Sequence, residues 1–124
     1  MYRIAICDDD LVFGSLLEQY LQNFAKTRRI PIDVLVFARG EEYLEFLIEE
    51  FPVDLIFLDI QFEKGLDGVQ IGKELRADIK NEMTQIIYIS GIESYAMQLF
   101  QNRPMDFLVK PVKQERVDHI MEEY

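Results

Sequence analysis

The chain has 124 residues, 49% of them hydrophobic, and its 23 acidic and 13 basic side chains give a formal net charge of −10. That length suits one domain with its own apolar core, residues 1–124, and excludes a disordered tail or a fibrous repeat; the negative charge repels phosphate backbones and argues against nucleic-acid binding by these residues themselves. A single cysteine, Cys7, and a single histidine, His119, exclude an internal disulfide framework and a structural zinc site.

No apolar run approaches the roughly 20 residues of a membrane span. The start, MYRIAICDDD, has no basic region leading into a long apolar stretch, so no secretory signal is visible and a cytoplasmic setting is expected.

Five short apolar runs punctuate the chain: YRIAIC from Tyr2, IDVLVF from Ile32, VDLIFLDI from Val53, QIIYIS from Gln85 and MDFLVK from Met105. Each is rich in Ile, Val, Leu, Phe or Tyr and ends at polar or glycine residues, the pattern of strands buried on both faces. Helical periodicity fills the gaps. From Asp10 to about Arg28, the residues Phe13, Leu16, Leu17, Tyr20, Leu21 and Phe24 share one face, with Lys26, Arg28 and Arg29 at the carboxyl end. Further helices are expected from Gly40 to Glu50, around Val69 to Ile79, from Tyr95 to Phe100, and from about Lys113 to the end. Strands alternating with helices predict a doubly wound α/β fold with right-handed crossovers. Five βα units match the flavodoxin-like strand order 2-1-3-4-5, whose ligand crevice lies beyond the carboxyl ends of the strands.

Those ends collect the chemistry. The first strand runs into Asp8, Asp9 and Asp10, the third ends at Asp59, the fourth at Ser90-Gly91 and the fifth at Lys110-Pro111. With neighbouring strands about 4.8 Å apart, Asp8, Asp9 and Asp59 face one pocket with Ser90 on its other side. Lys110 starts two strands from Asp59, roughly 10 Å away, a gap its flexible stem can cover. Three crowded carboxylates repel one another unless a cation sits among them, and a few carboxylates plus waters suit Mg²⁺. A hydroxyl and an ammonium opposite that metal make a cradle for a phosphoryl group, within which a carboxylate can act as nucleophile. Taken singly, each position has a simpler reading: Asp9 or Asp10 as a helix N-cap, Ser90 as a loop cap, Lys110 as a solvated strand end, Phe107 and Cys7 as core.

Together these positions resemble the receiver domains of two-component response regulators, over essentially the whole chain. The acidic pair matches Asp8-Asp9, the phosphoacceptor Asp59, the Ser/Thr ending strand four Ser90, the Lys-Pro step Lys110-Pro111 and the switch aromatic Phe107. The resemblance implies Mg²⁺ on Asp8, Asp9, Asp59 and the backbone carbonyl of Gln61, and a cis Lys110-Pro111 bond. It also implies that Gln61 and Ile92 border the approach of hydrolytic water, Ile92 shielding the phosphoryl group. The chain departs from the family after Asp59, where IQFEKGLDG lacks the usual proline and Gly68 falls one residue late.

Within the family, IAICDDD, VLVFARGEEYLEFL and LDIQ look most like regulators with a LytTR-type DNA-binding output domain. The expected function is a switch: a sensor histidine kinase phosphorylates Asp59, and the surface of the fourth helix, fifth strand and fifth helix changes to control an output, with a homodimer on activation. Such a domain is no conventional enzyme, catalysing only its own phosphoryl transfer and slow autodephosphorylation. An output domain, the route to DNA, is expected outside this chain. The rival is a phosphatase resembling the haloacid dehalogenases, with Asp8 as nucleophile, Asp10 as general acid and Ser90 and Lys110 binding phosphate; it leaves Asp59 without a role.

Overall fold

The structure, a computed structural model, describes residues 2–39, 42, 53–60, 72–73, 84–91 and 103–124. Five strands form one parallel sheet: β1 (Tyr2–Cys7), β2 (Ile32–Phe37), β3 (Leu55–Asp59), β4 (Gln85–Ser90) and β5 (Asp106–Val109). Their order is β2-β1-β3-β4-β5, as the alternation of elements predicts. Two helices are described along their length, α1 (Leu11–Arg28) and α2 (Gln114–Glu123), the latter being the fifth helical pattern of the sequence. Glu42, Gly72 and Lys73 are helical. The rest of the helices expected over Gly40–Glu50 and Val69–Ile79, and the whole of the one over Tyr95–Phe100, lies outside the described residues.

The central strands β1, β3 and β4 are largely buried on both faces and read as apolar runs, while the edge strands β2 and β5 are mostly half-buried. Side chains alternate between the faces. Ile4, Ile6, Leu55, Phe57, Ile87 and Ile89 point to one side, where Leu17, Leu21 and Phe24 of α1 and Val117, Ile120 and Met121 of α2 cover them. Ala5, Cys7, Ile56, Leu58, Ile86 and Tyr88 point to the other, joined by Val53, Ile60 and the half-buried Phe107. Cys7 is thus a core thiol, fully buried.

Helix α1 begins where Asp10 stops being extended and its carboxylate takes the free N–H of Phe13 at 3.1 Å. It ends at Arg29, which adopts a left-handed conformation (φ 58°) after Lys26 and Arg28 in the last turn. The buried stripe is narrower than periodicity alone suggests. Phe13, Leu17, Leu21 and Phe24 are buried with the small Gly14 and Ala25 beside them, whereas Leu16 stays 39% exposed and Tyr20 packs only at the margin.

Gln114 ties the two helices together. Its amide nitrogen donates to the Tyr20 carbonyl at 2.8 Å, and its amide oxygen accepts from Asn23 at 3.2 Å. Arg28 pairs with Glu122 nearer the other end of the helix pair. Leu21 is fully buried at this junction. Leu21→Ala should destabilise the domain by about 2–5 kcal/mol, through lost burial and the cavity left behind, without altering the strand-end chemistry. Chemical denaturation of parent and mutant checks it.

Candidate functional site

Strand register decides which side chains meet. Cys7 lies opposite Leu58, so the next residues, Asp8 and Asp59, leave adjacent strands abreast of one another. Ile89 lies opposite Asp59 and Ser90 opposite Val109, bringing Ser90 and Lys110 to the same end of the sheet. The Lys110 N–H donates to the Ser90 carbonyl at 2.8 Å, and the Lys110-Pro111 bond is cis.

The acidic pair is held by its own turn. Asp8 is fully buried; its N–H donates to the Phe37 carbonyl at 3.0 Å, and its Oδ1 accepts from the Asp10 N–H at 2.8 Å. Its other oxygen, Oδ2, is buried without a hydrogen-bond partner and faces the Lys110 ammonium at 3.2 Å. Asp59 is 6% exposed, with its Oδ2 3.6 Å from the same ammonium. Asp9 is the more open of the three carboxylates. One oxygen from each of Asp8, Asp9 and Asp59 lies within 4.8 Å of the others, a spacing that a single cation can bridge. Hard carboxylate donors, one of them a buried oxygen with no hydrogen bond, fit a small divalent ion such as Mg²⁺.

Lys110 is the cation that answers this charge. Burial works against its ammonium, but the opposing pull of Asp59 and Asp8, with Asp10 farther off, outweighs it and holds the group above its ordinary value of 10.5. A raised lysine contributes its full stabilisation below that ordinary value and loses it only as the pH climbs through the raised one. The pocket therefore keeps its positive charge throughout the neutral range.

The remaining predicted positions divide. Ser90 is buried at the end of β4 beside the cluster. Phe107 sits half-buried on β5 opposite Tyr88, bordering a cavity of about 580 Å³ that Val109, Val112, Arg116 and His119 also line. Gln61, Gly68 and Ile92 lie outside the described residues. His119 pairs with Glu123 one turn on, at 2.8 Å, away from the cluster. Asp10 is not part of the carboxylate cluster; its side chain caps α1. Sequence reading gave Phe13 only a place in the core, yet its ring also stands against Lys110. Its place three residues after the capping Asp10 puts it in the first turn of α1, but that spacing does not record the contact with Lys110.

Comparison with known proteins agrees with this fold. The response regulator receiver domain family matches residues 4–122, and the chain belongs to it. The sensory transduction protein LytT of Bacillus cereus is 27% identical over 124 residues, covering 100% of this chain and 47% of that protein. LytT of Oceanobacillus iheyensis is 34% identical over 77 residues, 62% of this chain and 30% of that protein. The chain spans less than half the length of these curated relatives. Among solved structures, the response regulatory domain of protein mrkE from Klebsiella pneumoniae superposes with a TM-score of 0.83 at 22% identity, covering 98% of this chain and 93% of that one. The response regulator TrrA from Thermotoga maritima, solved in complex with Mg²⁺-BeF, superposes with a TM-score of 0.81 at 24% identity, covering 99% and 98%. These structures share the fold. A receiver domain serves phosphorylation-dependent two-component signalling, and among the described residues no helix is long and apolar enough to cross a membrane.

Capping and chemistry are separable at Asp10. Asp10→Ala should cost about 1 kcal/mol of stability through the lost cap, while phosphoryl uptake from acetyl phosphate persists. Denaturation and labelling of the same sample check both halves; a stable but unlabelled mutant would favour the phosphatase-like role for Asp10.

Proposed function

We propose that Asp59 is the phosphoacceptor of a switch charged by a sensor histidine kinase, and that the charged form controls an output carried outside this chain. The observation that carries this reading is the buried Asp8–Asp59 pair with Asp9 beside it and the Lys110 ammonium within 3.2 Å and 3.6 Å of two of their oxygens. A carboxylate at the end of a fully buried strand is expensive unless it has a partner, and here the partners form a cradle for a second anion.

In the proposed step an Asp59 oxygen attacks phosphorus of the donor. The oxygen–phosphorus bond forms, the phosphorus–nitrogen bond to the donor imidazole breaks, and that bond's electron pair leaves on the imidazole nitrogen, which takes up a proton. Asp59 must be ionised to attack, and Lys110 favours that form. Mg²⁺ on Asp8, Asp9, Asp59 and the Gln61 carbonyl would offset the charge gathering on the transferred group. Lys110 supplies the positive charge that remains with the protein in its absence. Ser90, at the end of the neighbouring strand, is assigned to a phosphoryl oxygen through its hydroxyl. Movement of Ser90 toward that oxygen leaves room behind it, and Phe107 on β5, three residues before Lys110, is the side chain assigned to follow.

The cavity beside Phe107 borders β5 and the first turns of α2 and supports assigning this surface, with the fourth helix, to communication with the output and to a homodimer on activation. The Mg²⁺-BeF complex of TrrA and the LytT name of the relatives support the metal and a regulator of transcription, respectively. DNA contact belongs to the output domain, since the net charge of −10 disfavours it here. The cytoplasm is the proposed setting. Gln61 and Ile92 are assigned to tuning hydrolysis, with Ile92 screening water from the phosphoryl group and making its loss slow.

Asp59→Asn should abolish acyl-phosphate formation from acetyl phosphate with the fold intact, measured by mass spectrometry of the intact chain and its peptides. Normal labelling, or an adduct on Asp8, would defeat the assignment. Asp9→Ala should weaken Mg²⁺ binding and slow labelling together while leaving apo stability level or higher, because it also removes repulsion; calorimetric titration and thermal melts read the two effects.

A further inference from the structure

The Lys110 side chain has a third partner besides the two carboxylates. Its Nζ stands over the Phe13 ring, 4.4 Å from the centroid, well inside the distance at which an ammonium is attracted to an aromatic face. Phe13 is itself fixed. Its N–H is taken by the Asp10 cap at 3.1 Å, and it is only 8% exposed, within the core cluster between α1 and the sheet. The backbone of Lys110 is fixed as well, through its N–H to the Ser90 carbonyl. Two anchored segments, one on α1 and one after β5, therefore meet through a single ammonium.

The partners differ in what competes for them. Asp8 Oδ2 and Asp59 Oδ2 are the oxygens a divalent cation would draw on, and a bound cation would repel the ammonium besides. The ring face has no such competitor. We propose that Phe13 is a positioning residue for phosphoryl transfer: its face retains the Lys110 ammonium in the pocket when the carboxylates are given over to metal, so that the charge is in place when the phosphoryl oxygens arrive. This inference rests on Asp59 being the phosphoacceptor.

The test varies the ring without varying its shape. Phenylalanine at position 13 alone is replaced by a series of increasingly fluorinated phenylalanines, which drain negative charge from the ring face at nearly constant volume; Phe13→Tyr and Phe13→Leu complete the set. Two quantities are read at saturating Mg²⁺: the rate of phosphoryl uptake from acetyl phosphate, and the ring-current shift of the Lys110 ε-methylene protons by NMR. The expected result is a rate that falls stepwise with fluorination, is kept by Phe13→Tyr, and drops about three- to tenfold in Phe13→Leu together with loss of the ring-current shift. A fluorinated series as fast as the parent would overturn the proposal, and so would a slow Phe13→Leu beside an unchanged series, because volume alone would then explain the loss. The underlying assignment fails separately: a parent chain that takes up no label on Asp59 removes the reaction that Phe13 is said to serve.

Discussion

Everything at the carboxyl end of the sheet turns on one electrostatic constraint, the crowding of three carboxylates with the Lys110 ammonium set against two of them. Parallel strands in the order β2-β1-β3-β4-β5 bring Asp8 and Asp59 abreast, and the fixed register leaves neither a way to turn aside. Asp8 has no exposure to water at all, so it cannot dissipate its charge into solvent. Lys110 answers part of that charge from β5's end, held there by the Ser90 carbonyl and the Phe13 ring. The oxygens of the three carboxylates lie within 4.8 Å of one another, a spacing that a divalent cation can bridge.

The opposite end of the same sheet shows what a carboxylate looks like when its role is structural. Asp54 precedes β3, and its Oδ2 accepts the Arg3 N–H at 2.8 Å while its own N–H and carbonyl pair with Arg3 and Gln85. Tyr124 hydrogen-bonds to it as well, and burial followed by the nearby Asp54 charge pushes the Tyr124 phenol above its ordinary value. The Tyr2 ring meets Tyr124 edge-on with centroids 5.1 Å apart, closing α2 onto the base of β1. Thr84 adds a hydroxyl bond to the Val53 carbonyl at 2.6 Å. Donors from the backbone and a phenol use up Asp54, whereas Asp8 Oδ2 has only a charge opposite it. Similar residue types thus close one end of the sheet and leave the other ready for chemistry.

How much of this could be read from the residues follows from what each pattern encodes. Strands β1, β2 and β4 begin and end where their apolar runs do; burial accounts for this in β1 and β4, whereas β2, at the edge of the sheet, is only half-buried along its run. β3 and β5 are shorter than their runs: Asp54 and Lys110 spend their polar groups on neighbours beyond the regular ladder. The start of α1 was legible through its Asp10 cap, but the exposure of Leu16 was not, since periodicity gives a face without its width. Asp8, Asp9, Asp59, Ser90 and Lys110 were legible because topology alone carries strand ends to one edge. The Phe13 contact was not, because it depends on how far α1 leans over β5's end, a tertiary distance that no spacing along the chain records.

The central claim is that Lys110 balances the carboxylates and competes with the metal for them. Its most direct test is Mg²⁺ binding to Lys110→Met, a substitution that keeps an unbranched stem and removes the charge. The account requires the variant to bind Mg²⁺ more tightly than the parent and to gain more thermal stability from it, because Asp8 and Asp59 then lose the ammonium that competes with the metal for them. Equal Mg²⁺ affinity and equal stabilisation in the two proteins would contradict it.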